Sequence, residues 1–369
     1  MIILLFGFIL FFITVLQAFM PKFLKQTEAF GVYVPEQYAK EETVVRLKKR
    51  YSTVVLTSGL IILVGYLFWA LIQKPTEETL VLISVGVQFT IMFVGLGYYF
   101  YLHMRVKKLK EEQQWLSGKS EVRVVDLKFQ EKQQLLPRVV FIIPMIVTIG
   151  LIIYTFVKYP EMPDLIPTHW GPNGQPDAFS EKSYFSSISL LLILLVMQGM
   201  FLMMSEGMKF SGSRINPANK KTSLAQQLAF RKYTSWFALF ITISVTLMMG
   251  YFQLQTIHPE ISISWIMFAL PLLFLVTTFI GVAIYTIKVG QSGSRIKMDE
   301  ESPNLENTIA VVEDDKYWKG GMFYVNKDDP SILVEKRFGI GWTLNFGKPV
   351  SWIFLFGPIV IILAITFLL

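Results

Sequence analysis

The chain has 369 residues, of which 53% are hydrophobic and 17% charged, and its mean hydropathy is +0.49. Soluble domains average about 25% charged residues, so this composition excludes a soluble enzyme and a disordered chain. The absence of cysteine excludes a disulfide scaffold, and the net charge of +7 comes from basic residues confined to a few segments.

Eight apolar segments contain no Asp, Glu, Lys or Arg, and each is long enough to cross a hydrocarbon layer of about 30 Å. They are residues 2–20, 52–72, 79–102, 139–157, 185–204, 234–254, 262–287 and 351–369. The first has no preceding basic stretch and no small-x-small cleavage site, so we expect a retained anchor rather than a cleaved signal peptide. The sequence predicts an all-α polytopic membrane protein with about eight transmembrane helices.

The distribution of basic residues predicts an orientation. Of the 34 Lys and Arg residues, 31 lie in four loops and three lie in the other three loops. The four basic loops are 21–51, 103–138, 205–233 and 288–350. Because basic loops stay in the cytoplasm, both termini are predicted to be extracellular. With acidic residues included, the inner side has a net charge of +11 and the outer side −4, which favours anionic lipid headgroups over nucleic acid as the partner.

The predicted spans contain no Asp, Glu, Lys or Arg. Within a membrane, such residues usually mark ion paths, proton relays and catalytic dyads. This disfavours coupled transport and intramembrane catalysis. His103 lies at the inner end of the third span, and the strongest polar groups within the spans are Gln17, Gln88, Gln198 and Gln253. We expect these amides to form interhelical hydrogen bonds, with a substrate site as the alternative.

The sequence Ser-Gly-Ser-Arg-Ile occurs at 211–215 and at 292–296, each time just after the inner end of a span. Spans four and five are therefore predicted to be a helical hairpin related to spans six and seven. Glycine allows the turn that ends a helix and arginine faces the negative end of the helix dipole, so we expect a capping and anchoring role. The alternative is an anion site formed by both copies. The candidate residues are Ser211, Gly212, Arg214, Ser292, Gly293 and Arg295.

The outer loop 158–184 contains five prolines and two glycines, too many for an uninterrupted helix or strand. We predict a compact, ordered loop. Asp164, His169 and Asp177 are candidate metal ligands, but their irregular spacing favours a hydrogen-bonded structural histidine, and no metal or cofactor is predicted. The candidate residues for a ligand or partner are Pro163, Asp164, Pro167, His169, Trp170, Gly174, Pro176, Asp177 and Lys182.

This pattern, Pro-Asp-x-x-Pro-x-His-Trp-x-x-x-Gly-x-Pro-Asp followed by a lysine, resembles the signature of the DUF1648 membrane family. The resemblance implies an outer loop between two spans, in agreement with the orientation predicted from charge. The family includes the immunity protein against the sporulation-delaying toxin of bacilli (SdpI-like proteins), so the resemblance also implies a role of that kind.

Residues 288–350 form the one sizeable region outside the predicted spans. After an acidic linker, 299–315, β-branched and aromatic runs separated by Asn-x-Asp-Asp-Pro predict a short cytoplasmic β-hairpin between helices seven and eight. Gly339 and Gly341 mark a turn before a third strand at 342–346. The pattern Trp-x-Gly-Gly-x-Phe-Tyr-x-Asn resembles the DUF5808 domain. The candidate residues are Trp318, Gly320, Gly321, Tyr324, Asn326 and Trp342.

Two alternatives are open for these aromatic side chains: a ligand platform, or contacts at the membrane interface. In the first loop, Val44, Val45 and Leu47, followed by a basic run, predict an interfacial helix that leads into the second span.

Four regions are therefore predicted. They are a three-helix membrane region with basic loops (1–138), a DUF1648-like membrane core with repeated hairpins (139–290), a DUF5808-like cytoplasmic domain (291–350) and a last transmembrane helix (351–369).

The sequence favours a non-enzymatic multi-pass protein of a bacterial plasma membrane that acts in toxin or antimicrobial-peptide immunity or in envelope sensing. An extracellular peptide would meet the outer loop and a cytoplasmic regulator the inner domain. The alternative from another class is a permeation or lipid-handling protein that uses the repeated hairpins. An enzyme acting through His169 is a third hypothesis.

Overall fold

The computed structural model describes residues 2–115, 135–171, 174–211, 220–261, 263–296 and 315–369. Eight of its helices are long and apolar enough to cross a membrane, in agreement with the eight predicted spans. These are α1 (Ile2–Phe23), α3 (Glu42–Gln73), α4 (Glu77–Glu112), α5 (Val139–Lys158), α6 (Tyr184–Lys209), α7 (Lys220–Ile257), α8 (Ser264–Lys288) and α9 (Pro349–Phe367); a short helix, α2, covers Glu36–Ala39. The chain is a multi-pass membrane protein.

Hydroxyl side chains begin two of the long helices. The Thr76 side chain accepts a hydrogen bond from the Thr79 backbone N–H at the start of α4. At the start of α6, Ser183 and Ser186 form a reciprocal capping box. Each cap satisfies backbone donors that have no partner within the helix.

All the strands of the described residues form two-stranded antiparallel hairpins. They are β1 (Glu28–Ala29) with β2 (Val32–Tyr33), β3 (Leu165–Trp170) with β4 (Pro176–Glu181), β5 (Trp318–Lys319) with β6 (Phe323–Tyr324), and β7 (Leu333–Glu335) with β8 (Trp342–Leu344). One parallel bridge, between Tyr324 and Asn345, joins the last two hairpins. We call residues 315–347 the small β domain.

The described residues divide into two compact units. The first contains α1 to α4, the start of α7, the end of α8 and the small β domain. Its largest core lies where the ends of α3 and α4 meet the β1–β2 hairpin. Phe30, Tyr51 and Tyr99 are buried there and pack against Phe338, whose ring centroid lies 4.3 Å from that of Tyr99.

The second unit contains α5, α6, most of α7 and α8, α9 and the β3–β4 hairpin. Leu191 and Leu194 of α6 pack against Val245 of α7 in its core. A row of buried polar residues also follows one face of α7: Ser235, Thr242, Thr246, Gln253 and Thr256. Their spacing of three, four and seven residues keeps them on one helix face.

The amide residues of the spans were predicted to join helices, and three of the four do. Gln198 of α6 donates to Thr148 of α5 at 2.9 Å and to Thr246 of α7 at 2.8 Å. Gln253 donates to Thr155 of α5 and to the Ser187 carbonyl of α6. In the first unit, Gln17 of α1 donates to a backbone carbonyl of α4. Gln88 is half-buried on α4.

The helix predicted before the second span is present, but its apolar residues are buried in the protein instead of facing a membrane surface. The segment is the beginning of α3, which runs without interruption from Glu42 to Gln73. Val44 and Leu47 are buried in the aromatic core of the first unit rather than left free to contact lipid. The β1–β2 hairpin provides the apolar partner that the sequence pattern suggested would be the membrane.

The strand pairing predicted for the C-terminal region is wrong. The two runs on either side of Asn-x-Asp-Asp-Pro do not pair with each other as one hairpin. Instead β5 pairs with β6 inside the first run, around the turn at Gly320 and Gly321. The second run supplies β7, which pairs with the predicted third strand, β8, around Gly339 and Gly341.

Candidate functional site

The β3–β4 hairpin occupies most of the loop between α5 and α6. Leu165 pairs with Glu181, Ile166 with Ser180 and Pro167 with Phe179. Two register shifts follow between Pro167 and Trp170. The predicted ordered loop is therefore a pair of six-residue strands, and the irregular pairing accommodates proline, which cannot donate to a strand ladder.

One face of the hairpin is buried against the membrane helices of its own unit. Ile166 packs with Met162 and with Ile257 near the end of α7. Near the turn, the Trp170 ring stacks on Phe252 of α7 with the ring centroids 5.2 Å apart.

The turn itself leaves no room for a side chain. Gly174 has a φ of +77°, and a Cβ there would lie 2.8 Å from the backbone nitrogen of Phe268. Together with Trp170 and Ile166, this close approach holds the hairpin against α7 and α8.

Lys182 closes the open end of the hairpin. Its backbone N–H donates to the Asp164 carbonyl at 2.8 Å, and its ammonium group donates to the Met162 carbonyl at 2.7 Å. The same ammonium group lies 5.1 Å from the centre of the Tyr159 ring. Lys182, Trp170 and Gly174 thus have contacts that stabilise the hairpin, and Pro163 and Pro176 lie at its two ends.

The other face of the hairpin is exposed. Leu165 is 57% exposed and Phe179 is 51% exposed, and Pro167 lies between them in the register. Since directly paired residues share a face, these apolar side chains form one surface with Glu181 at its edge.

His169 and Asp177 form the polar contact at the far end of this hairpin. The His169 Nδ1 atom lies 2.5 Å from a carboxylate oxygen of Asp177, and both side chains are exposed. The hydrogen bond that the sequence predicted for His169 is therefore present, with Asp177 as its partner. No group of three potential metal ligands occurs within the described residues, so Asp164 does not join this pair in such a group.

A second histidine contact lies near the ends of α5 and α7. The Tyr154 hydroxyl is 2.7 Å from His258 Nε2, and His258 Nδ1 is 3.1 Å from Glu260. Nothing in the local sequence indicates this contact, because Tyr154 and His258 are 104 residues apart. The contact joins the two helix ends on which the β3–β4 hairpin rests.

The second copy of the repeated sequence has the predicted capping role. The Arg295 guanidinium donates to the Ile287 carbonyl near the end of α8 at 3.1 Å and lies over the Phe23 ring. Gly293 has a φ of +77°, and a Cβ there would meet the Gln226 backbone. The Ser292 hydroxyl donates to Glu335 of the small β domain at 2.5 Å.

In the first copy, Gly212 and Arg214 lie outside the described residues, and only Ser211 can be placed. The end of α6 is capped by a different arginine. Arg231 of α7 is fully buried and donates to the carbonyls of Met208 and Ser211. A cation at a helix C-terminus interacts favourably with the helix dipole.

Two of the three aromatic residues singled out in the small β domain, Trp318 and Tyr324, lie in its interior rather than on its surface. Trp318 and Tyr324 are buried against each other and against Val334. Gly320 and Gly321 have positive φ angles and form the β5–β6 turn. Trp342 is partly exposed and pairs with Glu335.

Asn345 organises the rest of the small β domain. This side chain is fully buried and donates to the carbonyls of Asn326 and Ser331 at 2.8 and 3.1 Å. Its oxygen accepts the backbone N–H groups of Asn326 and Gly347. Asn326 in turn donates to the Tyr324 hydroxyl at 3.2 Å.

An ion-pair cluster that could not be recognised in the sequence fixes the small β domain to the rest of the first unit. Asp315 pairs with Arg337 and, at 2.5 Å, with Lys110 near the end of α4. Arg337 is 1% exposed and also donates to the Gly31 carbonyl in the β1–β2 turn. Nothing in the local sequence distinguishes these three charges from the many others in the basic loops.

Comparison with known families matches two segments of the chain. A domain of unknown function, DUF1648, matches residues 139–196, and a family of unknown function, DUF5808, matches residues 327–352. The chain contains a DUF1648 domain. That domain spans α5, the β3–β4 hairpin and the first half of α6, and the DUF5808 match begins one residue after Asn326.

No curated protein and no solved structure gives a significant match to the chain.

Proposed function

We propose that this DUF1648 protein is a non-enzymatic membrane protein of the bacterial cell envelope whose β3–β4 hairpin binds an extracellular peptide. It would provide immunity to a toxin or antimicrobial peptide, or sense envelope stress. The observation that supports this most is the apolar face of exposed Leu165 and Phe179 and partly buried Pro167, on a hairpin that is anchored on its other face. Exposed apolar surface with a polar rim marks interaction sites.

The hairpin has the geometry that an extended peptide can use. Within the described residues β3 and β4 pair only with each other, so each has an outer edge with backbone groups available for a further strand. Adding a strand supplies main-chain hydrogen bonds, and the exposed face supplies contacts for alternate side chains. The contacts of Trp170, Gly174 and Lys182 keep the hairpin in place, which lowers the entropic cost of binding.

Charge favours a cationic peptide. Acidic side chains outnumber basic ones around the hairpin, and the two lysines present are engaged: Lys158 with Glu161, and Lys182 with backbone carbonyls. The carboxylates of Asp164 and Glu181 are exposed at its base. An acidic surface raises the association rate of a cationic peptide.

The resemblance to SdpI-like immunity proteins supports the immunity role, and the predicted extracellular position of the loop is part of the same proposal. The small β domain, on the basic side, is proposed to contact a cytoplasmic regulator. Phe323 of this domain is exposed and apolar, whereas the ion pairs that hold the domain in place are buried.

The permeation alternative would place a pathway beside Gln198 and Gln253. Both amides are buried and hydrogen-bonded to neighbouring helices, so a pathway there would have to break these bonds. Helix association is the simpler role for such residues, and we propose no transport function.

The proposal can be tested in a deletion strain of the source bacterium. The strain is complemented with the wild type, with the double variant Leu165→Ser/Phe179→Ser, or with Ile261→Ser as a matched control. Ile261 is also exposed and apolar but lies in the loop between α7 and α8. Survival is measured against a panel of cationic envelope-active peptides, with membrane expression of each variant checked in parallel.

We expect the deletion to sensitise the cells to at least one peptide. The wild type and Ile261→Ser should restore survival, and the double variant should not, although it is expressed equally. Unchanged survival of the deletion strain across the panel, with no altered transcriptional response, would contradict the proposal. Full protection by the double variant would show that the exposed face of the hairpin is not the peptide-binding surface.

A further inference from the structure

A groove of about 520 Å³ lies between the ends of α3 and α4 that are on the basic side of the protein. Its apolar wall includes Leu47, Tyr101 and Met104, and its polar wall includes Arg105 and Lys108. Tyr101 and Met104 are exposed, so this is an open surface groove rather than an internal cavity.

The span predicted from the sequence places the groove near the depth of lipid headgroups. The predicted third span ends at residue 102, and α4 continues beyond it without a break to Glu112. At 1.5 Å per residue, Arg105 and Lys108 lie about 4.5 and 9 Å past the edge of the hydrocarbon layer. The polar headgroup zone is about 5–8 Å thick on each side of a bilayer, so Arg105 lies within it and Lys108 lies just past its outer edge.

The cationic side chains of the groove retain donors for an anion. Arg105 donates one N–H to the Tyr101 hydroxyl at 3.3 Å, and a guanidinium has five donors in all. Lys108 lies 3.6 Å from Glu112, an exposed pair of the kind that contributes little stability. Glu112 also lines the groove and opposes anion binding, so the net charge of the lining is +1.

We propose that this α3–α4 groove is a binding site for an anionic phospholipid. The headgroup phosphate would meet Arg105 and Lys108, and the upper acyl chain would lie along the exposed side chains of Tyr101 and Met104. The groove has apolar and cationic walls side by side, which match the acyl chain and the phosphate of such a lipid. A soluble anion would not contact the apolar wall. A zwitterionic lipid also has a positive charge, which the groove cations would repel. The site is separate from the β3–β4 hairpin and does not depend on peptide binding.

The test uses the full-length protein in detergent and native mass spectrometry of lipid adducts, with phosphatidylglycerol and phosphatidylcholine as probes. The variant Arg105→Gln/Lys108→Gln removes both groove cations. Its matched control, Lys49→Gln/Lys107→Gln, removes two exposed cations from the same two helices that do not line the groove. Each charge near a membrane surface changes the affinity for anionic lipid by about fivefold.

We expect the wild type and the control to prefer phosphatidylglycerol, and the groove variant to bind it about 25-fold more weakly. Glu112→Gln should tighten binding, because it removes the opposing carboxylate. If the control variant bound phosphatidylglycerol as weakly as the groove variant, the binding would depend on overall charge and the proposed site would be wrong. Equal affinity of the wild type for phosphatidylcholine and phosphatidylglycerol would also contradict the site.

A second variant separates lipid from free phosphate and does not depend on the folding of the charge variants. Met104→Ser removes part of the exposed apolar wall without changing charge. It should weaken phosphatidylglycerol binding, and glycerol 3-phosphate should not displace the lipid. Complete displacement by glycerol 3-phosphate, or unchanged binding in Met104→Ser, would contradict a phospholipid site.

Discussion

At the scale of single residues, buried charge in this protein is placed where a counter-ion can reach it. Lys110 is 8% exposed and Arg337 is 1% exposed, and Asp315 contacts both. Taking one partner out of a buried pair leaves a charge without compensation, which costs about 3–5 kcal/mol. Asp315 therefore has a larger effect on the small β domain than its partly exposed position suggests.

We predict that Asp315→Asn destabilises the small β domain by about 3–5 kcal/mol, because two buried cations lose their anion. Hydrogen exchange of the full-length protein should accelerate in residues 315–347. Asp328→Asn serves as the control, since the Asp328 side chain is exposed and only its backbone N–H is bonded to Asn326. Equal exchange in the two variants would contradict a stabilising role for the cluster.

The buried amides lead to a smaller effect. Gln198→Leu should lower the free energy of unfolding in detergent by about 0.6–2 kcal/mol, since it removes bonds that join three helices. The loss stays modest because Thr148 and Thr246 also donate to carbonyls of their own helices. Gln88→Leu, at a half-buried position on α4, should be neutral or stabilising. A gain in stability from Gln198→Leu would contradict the predicted role in helix association.

At the scale of elements, the turns decide which segments can approach each other. The β5–β6 turn lies against α4 and against the β1–β2 turn, with a Gly321 Cβ position 2.7 Å from the Tyr99 hydroxyl and 2.9 Å from the Gly31 Cα. The β7–β8 turn also contains a glycine with positive φ, Gly341, but a Cβ there would meet nothing within 4 Å.

These two glycines form a matched pair. Gly341→Ala should cost only the backbone strain, about 1–3 kcal/mol. Gly321→Ala should cost more, because the methyl group also collides with Tyr99 and Gly31. The thermal unfolding midpoint of the full-length protein in detergent measures both. Equal shifts of the unfolding midpoint in the two variants would mean that the close approach of the β5–β6 and β1–β2 turns does not affect stability.

At the scale of the whole molecule, the charge distribution remains the basis for the orientation. The predicted loops on one side contain 31 of the 34 basic residues, and eight helices of the described residues are long and apolar enough to separate such loops. Because Lys and Arg resist translocation, the β3–β4 hairpin is expected outside and the small β domain inside.

Cysteine labelling tests this orientation directly, because the native chain has no cysteine and gives no background. Ala178→Cys in the hairpin and Lys319→Cys in the small β domain both replace exposed residues. A membrane-impermeant maleimide should label Ala178→Cys on intact cells and Lys319→Cys only after permeabilisation. The reverse labelling pattern would show that the predicted orientation is inverted and that the hairpin is not extracellular.

The sequence alone was sufficient for the eight spans, since the thickness of a bilayer requires long apolar segments and the backbone bonds of a helix are satisfied within it. It was also sufficient to mark the hairpin residues as a group, because Trp170, Gly174 and Lys182 lie within one short loop. Contacts over longer separations could not be predicted. Lys110 is 205 residues from Asp315, and Arg337 is 306 from Gly31.

Only the tertiary structure decided which partner each such group meets. Periodicity and composition showed that Val44, Leu47 and Trp318 need apolar surroundings, but a membrane surface and a protein core satisfy that need equally well at the level of sequence. The β1–β2 hairpin and the small β domain supply those surroundings within the protein. The physical reason is that burial is a local requirement of a side chain, whereas the choice of partner depends on how distant segments pack together.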